Sequence, residues 1–83
     1  MNSHEHRVAV ISIVVRDRTM SGKVNDVLSQ HGESIRGRLG VPFRDLGISV
    51  ITVLLEADPD EIGAISGAIG NISGVTLRST MLT

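Results

Sequence analysis

The segment Val8–Val15 reads VAVISIVV, and it decides the fold of this chain. All of its residues except Ser12 are apolar, and most are β-branched. A strand with one solvated face alternates apolar and polar residues, so this segment predicts a strand that is covered on both faces. The segment Ile48–Leu55 reads ISVITVLL and has the same character. Two such strands belong at the centre of one sheet.

Two helices are predicted by apolar residues that recur at the spacing of a helical turn. The first covers Met20–His31 and the second covers Pro59–Ile72. Asp58 precedes Pro59 and Glu61 follows it, which is the arrangement of an N-cap, a first-turn proline and a capping-box carboxylate. The start of the second helix is therefore the sharpest local signal in the chain.

Four strands account for the remaining periodic segments. They are predicted over Arg7–Arg16, Ile35–Val41, Ile48–Glu56 and Val75–Leu82. With the helices inserted, the order is strand, helix, strand, strand, helix, strand, which is the α+β, ferredoxin-like βαββαβ order. We expect a four-stranded antiparallel sheet in the order 4-1-3-2, with both helices on one face. Residues 1–83 then form a single domain, and residues 1–6 are expected to be flexible.

Composition excludes several classes of function. The chain has 83 residues and no cysteine, which rules out disulfides, thiolate metal sites and thiol catalysis. Its formal net charge of −1 gives no field that would attract nucleic acid or an anionic membrane. The longest apolar run is too short to span a bilayer. We expect a cytoplasmic protein that binds neither membrane nor nucleic acid directly, and no nucleophile beside a base suggests an enzyme.

One face of the predicted sheet has no helix to cover it. Leaving about four to six aliphatic side chains exposed there forgoes about 1.5–3 kcal/mol each relative to burial. Because large exposed apolar patches usually mark partner surfaces, we expect a homo-oligomer, a dimer or a tetramer. The predicted interface consists of apolar residues with arginines around them: Val8, Val10, Val14, Val50, Arg36, Arg38 and Arg78.

The second helix carries Gly63, Gly67 and Gly70. Each glycine destabilises a helix by about 1 kcal/mol relative to alanine. Such a cost indicates a close backbone approach at these positions. The approach could be made to the sheet or to the helix of a partner subunit.

Two segments are candidate ligand sites. His4 and His6 have a spacing that can bind Zn²⁺ or Ni²⁺, with His31 the only other histidine in the chain. The other site joins the first strand to the first helix, where amide groups at the helix start could bind a carboxylate or a phosphate. Its residues are Arg18, Thr19, Met20, Ser21 and Gly22, of which Thr19 or Ser21 would cap the helix.

The first half of the chain resembles ACT domains. The resemblance is carried by Asp17 and Arg18, by the helix with Val24, Val27 and Leu28, and by His31, Gly32 and Ile35. ACT domains are ferredoxin-like modules that bind amino acids or other small effectors and oligomerise. The resemblance implies an effector site at Arg18–Gly22 and on neighbouring partner surfaces.

A second resemblance covers almost the whole chain and is to the small proteins called iron-only hydrogenase system regulators. It is carried by Val8–Asp17, Val24–Leu28, Ile35–Pro42, Asp60–Gly67 and Ile69–Val75. That family is similar in fold to the effector domain of nickel-responsive repressors. Those repressors bind metal through histidines and a cysteine, so their metal site does not carry over to a chain without cysteine. The chain also contains no ribbon-helix-helix or helix-turn-helix segment.

Taken together, the sequence predicts a small homo-oligomeric regulatory module that senses a small ligand or binds a protein partner. Two alternatives stay open at this point. One is a metal-responsive, transcription-regulator-like domain that uses His4 and His6. The other is a purely structural oligomerisation domain. No cofactor is indicated by the residues.

Overall fold

The computed structural model describes residues 5–83. The elements follow one another as β1 (Arg7–Val15), α1 (Ser21–Gln30), β2 (Ile35–Phe43), β3 (Ile48–Ala57), α2 (Pro59–Gly70) and β4 (Val75–Met81). The strands form one sheet in the order β2-β3-β1-β4, with antiparallel pairing throughout. This is the predicted order read from the opposite edge, so the α+β ferredoxin-like fold is confirmed. The predicted flexible terminus lies mostly outside the described residues.

A single hydrophobic core lies between the sheet and the helices. It takes alternate residues of the central strands, namely Ala9, Ile11, Ile13 and Val15 of β1 and Ile51, Val53, Leu55 and Ala57 of β3. The helices contribute Val24, Leu28, Ile62, Ile65 and Ile69, and β4 contributes Val75. The intervening residues of β1, which are also mostly apolar, are only half-buried on the other face. One chain alone therefore buries one side of its two central strands.

Aspartates cap the start of α2 and the start of the 3-10 turn that precedes α1. The Asp58 carboxylate accepts a hydrogen bond from the Glu61 backbone N–H at 2.8 Å, with Pro59 in the first turn, as predicted. At the other helix the predicted cap was wrong. A 3-10 turn, Arg18–Met20, precedes α1, and Asp17 caps it by accepting from both the backbone N–H and the hydroxyl of Thr19. The hydrogen bond from the Thr19 hydroxyl, and to a smaller extent the one from the Thr19 N–H, holds the pKa of Asp17 below its ordinary value.

Strand β2 contains a β-bulge that the sequence pattern does not predict. Ile35 pairs with Leu55, but Gly37 pairs with Leu54, so the register shifts between them. A bulge adds one residue to a strand and reverses the side on which later residues point. Ile35 consequently packs against the core, whereas Leu39, which would share the side of Ile35 in a regular strand, points away from it.

Two glycines adopt left-handed backbone conformations that favour glycine. Gly47 (φ +68°) ends a 3-10 turn between β2 and β3, and Gly74 (φ +75°) precedes β4. A Cβ at Gly74 would come within 2.8 Å of the Cβ of Asp17. The Gly74 carbonyl also accepts a hydrogen bond from the Arg16 N–H at 2.8 Å. This contact holds the loop after β1 against the start of β4.

The glycines of α2 do not make the predicted approach to the sheet at two of three positions. A Cβ at Gly63 or Gly67 would meet no atom within 4 Å, and one at Gly70 would make only an ordinary contact with Leu77 at 4.0 Å. Gly63 and Gly67 lie on the exposed side of the helix. The remaining prediction for them is contact with a partner subunit.

Candidate functional site

The sheet leaves one side uncovered by the helices, and we call this side the open face. Its β1 and β3 residues are Val8, Val10, Ser12, Val14, Val50, Thr52, Leu54 and Glu56. β2 adds Leu39 and Val41, and β4 adds Thr76, Arg78 and Thr80. Leu39 is 64% exposed, Leu54 is 39% exposed and Val41 is 37% exposed. The apolar part of the open face thus extends from the centre of the sheet to the β2 edge, and its β4 edge is polar.

The predicted interface residues do not all lie on this face. Val8, Val10, Val14, Val50 and Arg78 do, by their register with one another. Arg38 lies on the helix side, where its guanidinium donates to Asn25 Oδ1 of α1, so its predicted place beside Arg36 was wrong. The physical reason is the bulge before Gly37, which separates the directions of the two arginines.

A charged group closes one end of the open face. Glu56 lies between His6 and Arg36, with its Oε2 3.2 Å from His6 Nδ1 and its Oε1 3.1 Å from an Arg36 guanidinium nitrogen. The hydrogen bond with His6 has the largest effect in lowering the pKa of Glu56, and the hydrogen bond with Arg36 lowers it further. The carboxylate therefore stays ionised and binds both neighbours, and Arg36 is already paired within its own chain.

Of the two predicted metal ligands, only His6 lies among the described residues. His4 lies outside the described residues, and His6 contacts Glu56. Within residues 5–83, no group of three histidine, aspartate or glutamate side chains converges in a way that could hold a metal ion. His31 belongs to a different group, since its Nδ1 lies 3.0 Å from Glu61 Oε2.

The His31 group joins the end of α1 to the start of α2. The Ser34 hydroxyl donates to the same Glu61 oxygen at 2.7 Å. An ionised carboxylate only accepts hydrogen bonds, so the Nδ1 of His31 carries the proton in this contact. The Ser34 hydroxyl and then His31 lower the pKa of Glu61. This group is half-buried and ties the two helices together, which is a structural role.

A cavity of about 310 Å³ lies at the end of the sheet where β1 and β2 end and β3 begins, and we call it the end cavity. It is lined by Arg18, Pro42, Arg44, Gly47, Ile48 and Ser49. Arg18 comes from the loop after β1, and the other residues come from the end of β2, the turn after it and the first residues of β3. Two segments that are distant in sequence, the loop after β1 and the β2–β3 hairpin, meet there.

Of the five predicted ligand-binding residues, only Arg18 lines the end cavity. Thr19 is bonded to Asp17, and Met20 packs against the core. The Ser21 N–H donates to the Arg18 carbonyl, and Gly22 is exposed. The structure thus separates Arg18 from the four residues that were predicted to act with it.

Sequence reasoning missed Arg44 and Ser49, although a signal for them exists. In an antiparallel sheet of the predicted order, the end of β1 lies beside the start of β3, which in turn lies beside the end of β2. The loop after β1 and the turn between β2 and β3 must then share one end of the sheet. A residue from each, Arg18 and Arg44, follows from topology alone.

Comparison with known proteins supports one family. A family model described as "TM1266-like: Iron-only hydrogenase system regulator, putative" matches residues 7–79. The solved structure of the uncharacterized protein TM1266 from Thermotoga maritima is 39% identical, with a TM-score of 0.90. The match covers 95% of this chain and 100% of that one. No curated protein matches the sequence.

Two further solved structures share the fold at low identity. An unknown protein from Galdieria sulphuraria is 15% identical with a TM-score of 0.72, over 95% of this chain and 46% of that chain. A functionally unknown protein from Pediococcus pentosaceus ATCC 25745 is 11% identical with a TM-score of 0.56, over 92% of each chain. Among residues 5–83, neither helix has the length and apolar character that crossing a membrane requires. By its family-model match and its likeness to the Thermotoga protein, this chain belongs to the TM1266-like family of iron-only hydrogenase system regulators.

Proposed function

We propose that this chain is a small regulatory module that self-associates through its open face and responds to a small ligand or a protein partner. The observation that carries the proposal is the apolar open face. Leu39, Val41 and Leu54 are all more than a third exposed, although each lies on a strand of the sheet. Helices cover the other side of the same strands, so an apolar layer of this kind is stable only where something else excludes water from it.

A second copy of the chain is the occupant that best fits this surface. The chain has no third helix within the described residues that could fold over the open face. Its apolar residues lie in two rows across the strands, one with Leu54 and Val10 and the other with Val41, Val50 and Val14. The row between them has Leu39 at the β2 edge, followed by the polar residues Thr52 and Ser12. The polar residues Thr76 and Thr80 form the opposite edge. An apolar centre beside a polar rim is the usual anatomy of an interface between subunits.

The size of the effect follows from the exposure of Leu39. Full burial of a leucine contributes about 1.5–3 kcal/mol. With 64% of Leu39 still exposed, an interface that covered it would gain about 1–2 kcal/mol per subunit, scaled from that range. In a symmetric dimer the residue acts twice. Removing it should therefore cost about 2–4 kcal/mol, or roughly 30-fold to 1000-fold in the dissociation constant.

Sedimentation velocity over a range of protein concentrations tests the proposal. We expect the wild-type chain to be a dimer or a tetramer, and Leu39→Ser to dissociate at concentrations where the wild type stays assembled. Leu46→Ser is the matched control, because Leu46 is 69% exposed but lies in the turn between β2 and β3, outside the open face. A folded wild-type monomer at all concentrations, or equal weakening by both variants, would contradict the assignment of the interface.

The response to a ligand is tested separately by thermal unfolding in the presence of amino acids, nucleotides, organic acids and metal ions. A ligand that binds only the folded chain raises its melting temperature by mass action. A purely structural oligomerisation domain would show the assembly without any stabilising ligand. A metal-responsive module would be stabilised by Ni²⁺ or Zn²⁺, and the stabilisation would be lost when His4 and His6 are both replaced by alanine.

A further inference from the structure

The end cavity contains uncompensated positive charge. The guanidinium groups of Arg18 and Arg44 have no hydrogen bond or ion pair with any described residue, 5–83. No carboxylate lines the cavity with them. Two cations without an ion pair among residues 5–83 lie around one small volume and attract an anion, because no lining carboxylate offsets their charge.

The other arginines show that this arrangement is not the general state of arginine in the chain. Four of them have a side-chain partner or carbonyl acceptor: Arg7, Arg16, Arg36 and Arg38. Three have none within the described residues, and two of these three, Arg18 and Arg44, line the same cavity. They come from loops that are about 26 residues apart in sequence and are brought together only by the antiparallel sheet.

The remaining lining residues define the rest of the ligand. Ser49 offers a hydroxyl that makes no hydrogen bond to a described residue, so it can donate to an anion. Pro42 and Ile48 provide an apolar wall. A cavity of about 310 Å³ is at the lower end of the range for small-molecule sites. It has room for roughly ten water molecules at the volume of liquid water, which suits a small metabolite.

We propose that the end cavity binds a small dianionic metabolite, carrying either a phosphate monoester or two carboxylates, through Arg18, Arg44 and Ser49. The guanidinium fork matches both groups in a bidentate manner, and two arginines match two negative charges. This proposal rests on the proposed ligand response and names its site and chemical class. None of these three ligand-binding residues belongs to the open face.

Nuclear magnetic resonance titration of the full ¹⁵N-labelled chain tests the site directly. The probes are glycerol 3-phosphate and succinate, each added at constant ionic strength with sodium chloride as the reference. We expect saturable shifts in the amide signals of Arg18, Arg44 and Ser49. A saturable response to the phosphate alone or to the dicarboxylate alone identifies the anion, and mutual competition between them shows that both use the same two charges.

Charge-removing variants establish that the arginines are responsible. Arg18→Gln and Arg44→Gln should each weaken the binding at least tenfold. Lys23→Gln is the control, because Lys23 is an exposed cation on α1 that does not line the cavity, and it should leave the affinity within about twofold. No saturable shift with either probe, or equal weakening by all three variants, would overturn the proposal.

The two proposals fail in different ways. Sedimentation of the same samples reports the assembly while the titration reports the cavity. Absence of anion binding in a wild-type chain that still assembles through Leu39 would refute the cavity alone. Saturable anion binding by a chain that remains monomeric would refute self-association alone.

Discussion

The packing of Gly74 against Asp17 gives a sharp quantitative prediction for this fold. Gly74 and Gly47 have nearly the same backbone conformation, with φ of +75° and +68°. Their surroundings differ. A Cβ at Gly74 would lie 2.8 Å from the Cβ of Asp17, whereas a Cβ at Gly47 would meet nothing within 4 Å. Replacing either glycine by alanine therefore imposes a similar backbone strain, but only the replacement at Gly74 adds a steric conflict.

The two costs can be estimated separately. A left-handed conformation costs a residue with a Cβ about 1–2 kcal/mol. The reduced freedom of the unfolded chain offsets about 0.4–1 kcal/mol of this. Gly47→Ala should thus lower the free energy of unfolding by about 0.5–1 kcal/mol. Gly74→Ala adds an overpacking cost of about 1–3 kcal/mol, for a total of about 1.5–4 kcal/mol.

Urea unfolding followed by far-ultraviolet circular dichroism measures both variants. The chain has no tryptophan or tyrosine, which excludes intrinsic fluorescence as the probe. The variants and the wild type are compared at one protein concentration, because the stability of an associating protein depends on concentration. We expect Gly74→Ala to be the less stable variant by at least about 1 kcal/mol. Equal losses would show that Asp17 moves aside freely, and the loop that carries Arg18 would then not be held by this contact.

Two further changes test the helices. The pKa of Glu61 is lowered in the folded chain from its ordinary value of 4.5. Its carboxylate therefore contributes stability above about pH 4.5 and loses it as the pH falls through the lower folded value. Glu61→Gln should reduce the slope of unfolding free energy against pH below about pH 4.5, and an unchanged slope in urea unfolding would contradict this. Gly63→Ala should raise the unfolding free energy by up to ~1 kcal/mol, because nothing lies within 4 Å of the added Cβ. A loss of stability, or weaker assembly in sedimentation, would show that a partner subunit packs closely on α2.

The elements predicted best from sequence are those with strong local signals. Val8–Val15 is predicted as a central strand because its residues are mostly apolar on both alternating sides, and the structure places β1 between β3 and β4. Asp58, Pro59 and Glu61 fix the start of α2 through one capping bond and one backbone restriction, both of which the structure contains. Such signals depend on a few neighbouring residues, so no tertiary contact is needed to interpret them.

The failures occur where a tertiary contact overrides the local pattern. β2 alternates apolar and charged residues from Ile35 onward, and a regular strand would place Arg36 and Arg38 on one side. Ile35 packs against the core, Arg36 donates a hydrogen bond to Glu56, and Arg38 donates one to Asn25. A bulge before Gly37 allows the strand to make all three contacts. None of the three partners is near β2 in sequence. The period of a strand alone could not reveal the shift.

The end cavity was missed for a different reason. The local pattern around Arg18 predicts a ligand site only at the start of the helix that follows it, whereas Arg44 and Ser49 belong to a different loop and strand. In the structure, Arg18 lines a cavity together with residues of the β2–β3 hairpin. Strand order, which was predicted, already implies that proximity. For a small antiparallel sheet, charged residues in loops at one end are best read together.

The end of β2 contributes to both proposed surfaces. Val41 points to the open face and Pro42 lines the end cavity, since successive strand residues point to opposite sides. A displacement of this strand end would therefore move both surfaces at once. If an anion binds the assembled chain and the separated chain with different affinities, linkage requires that it shift self-association by the same factor. Under the proposed function, the end of β2 is the element that would couple the cavity to self-association.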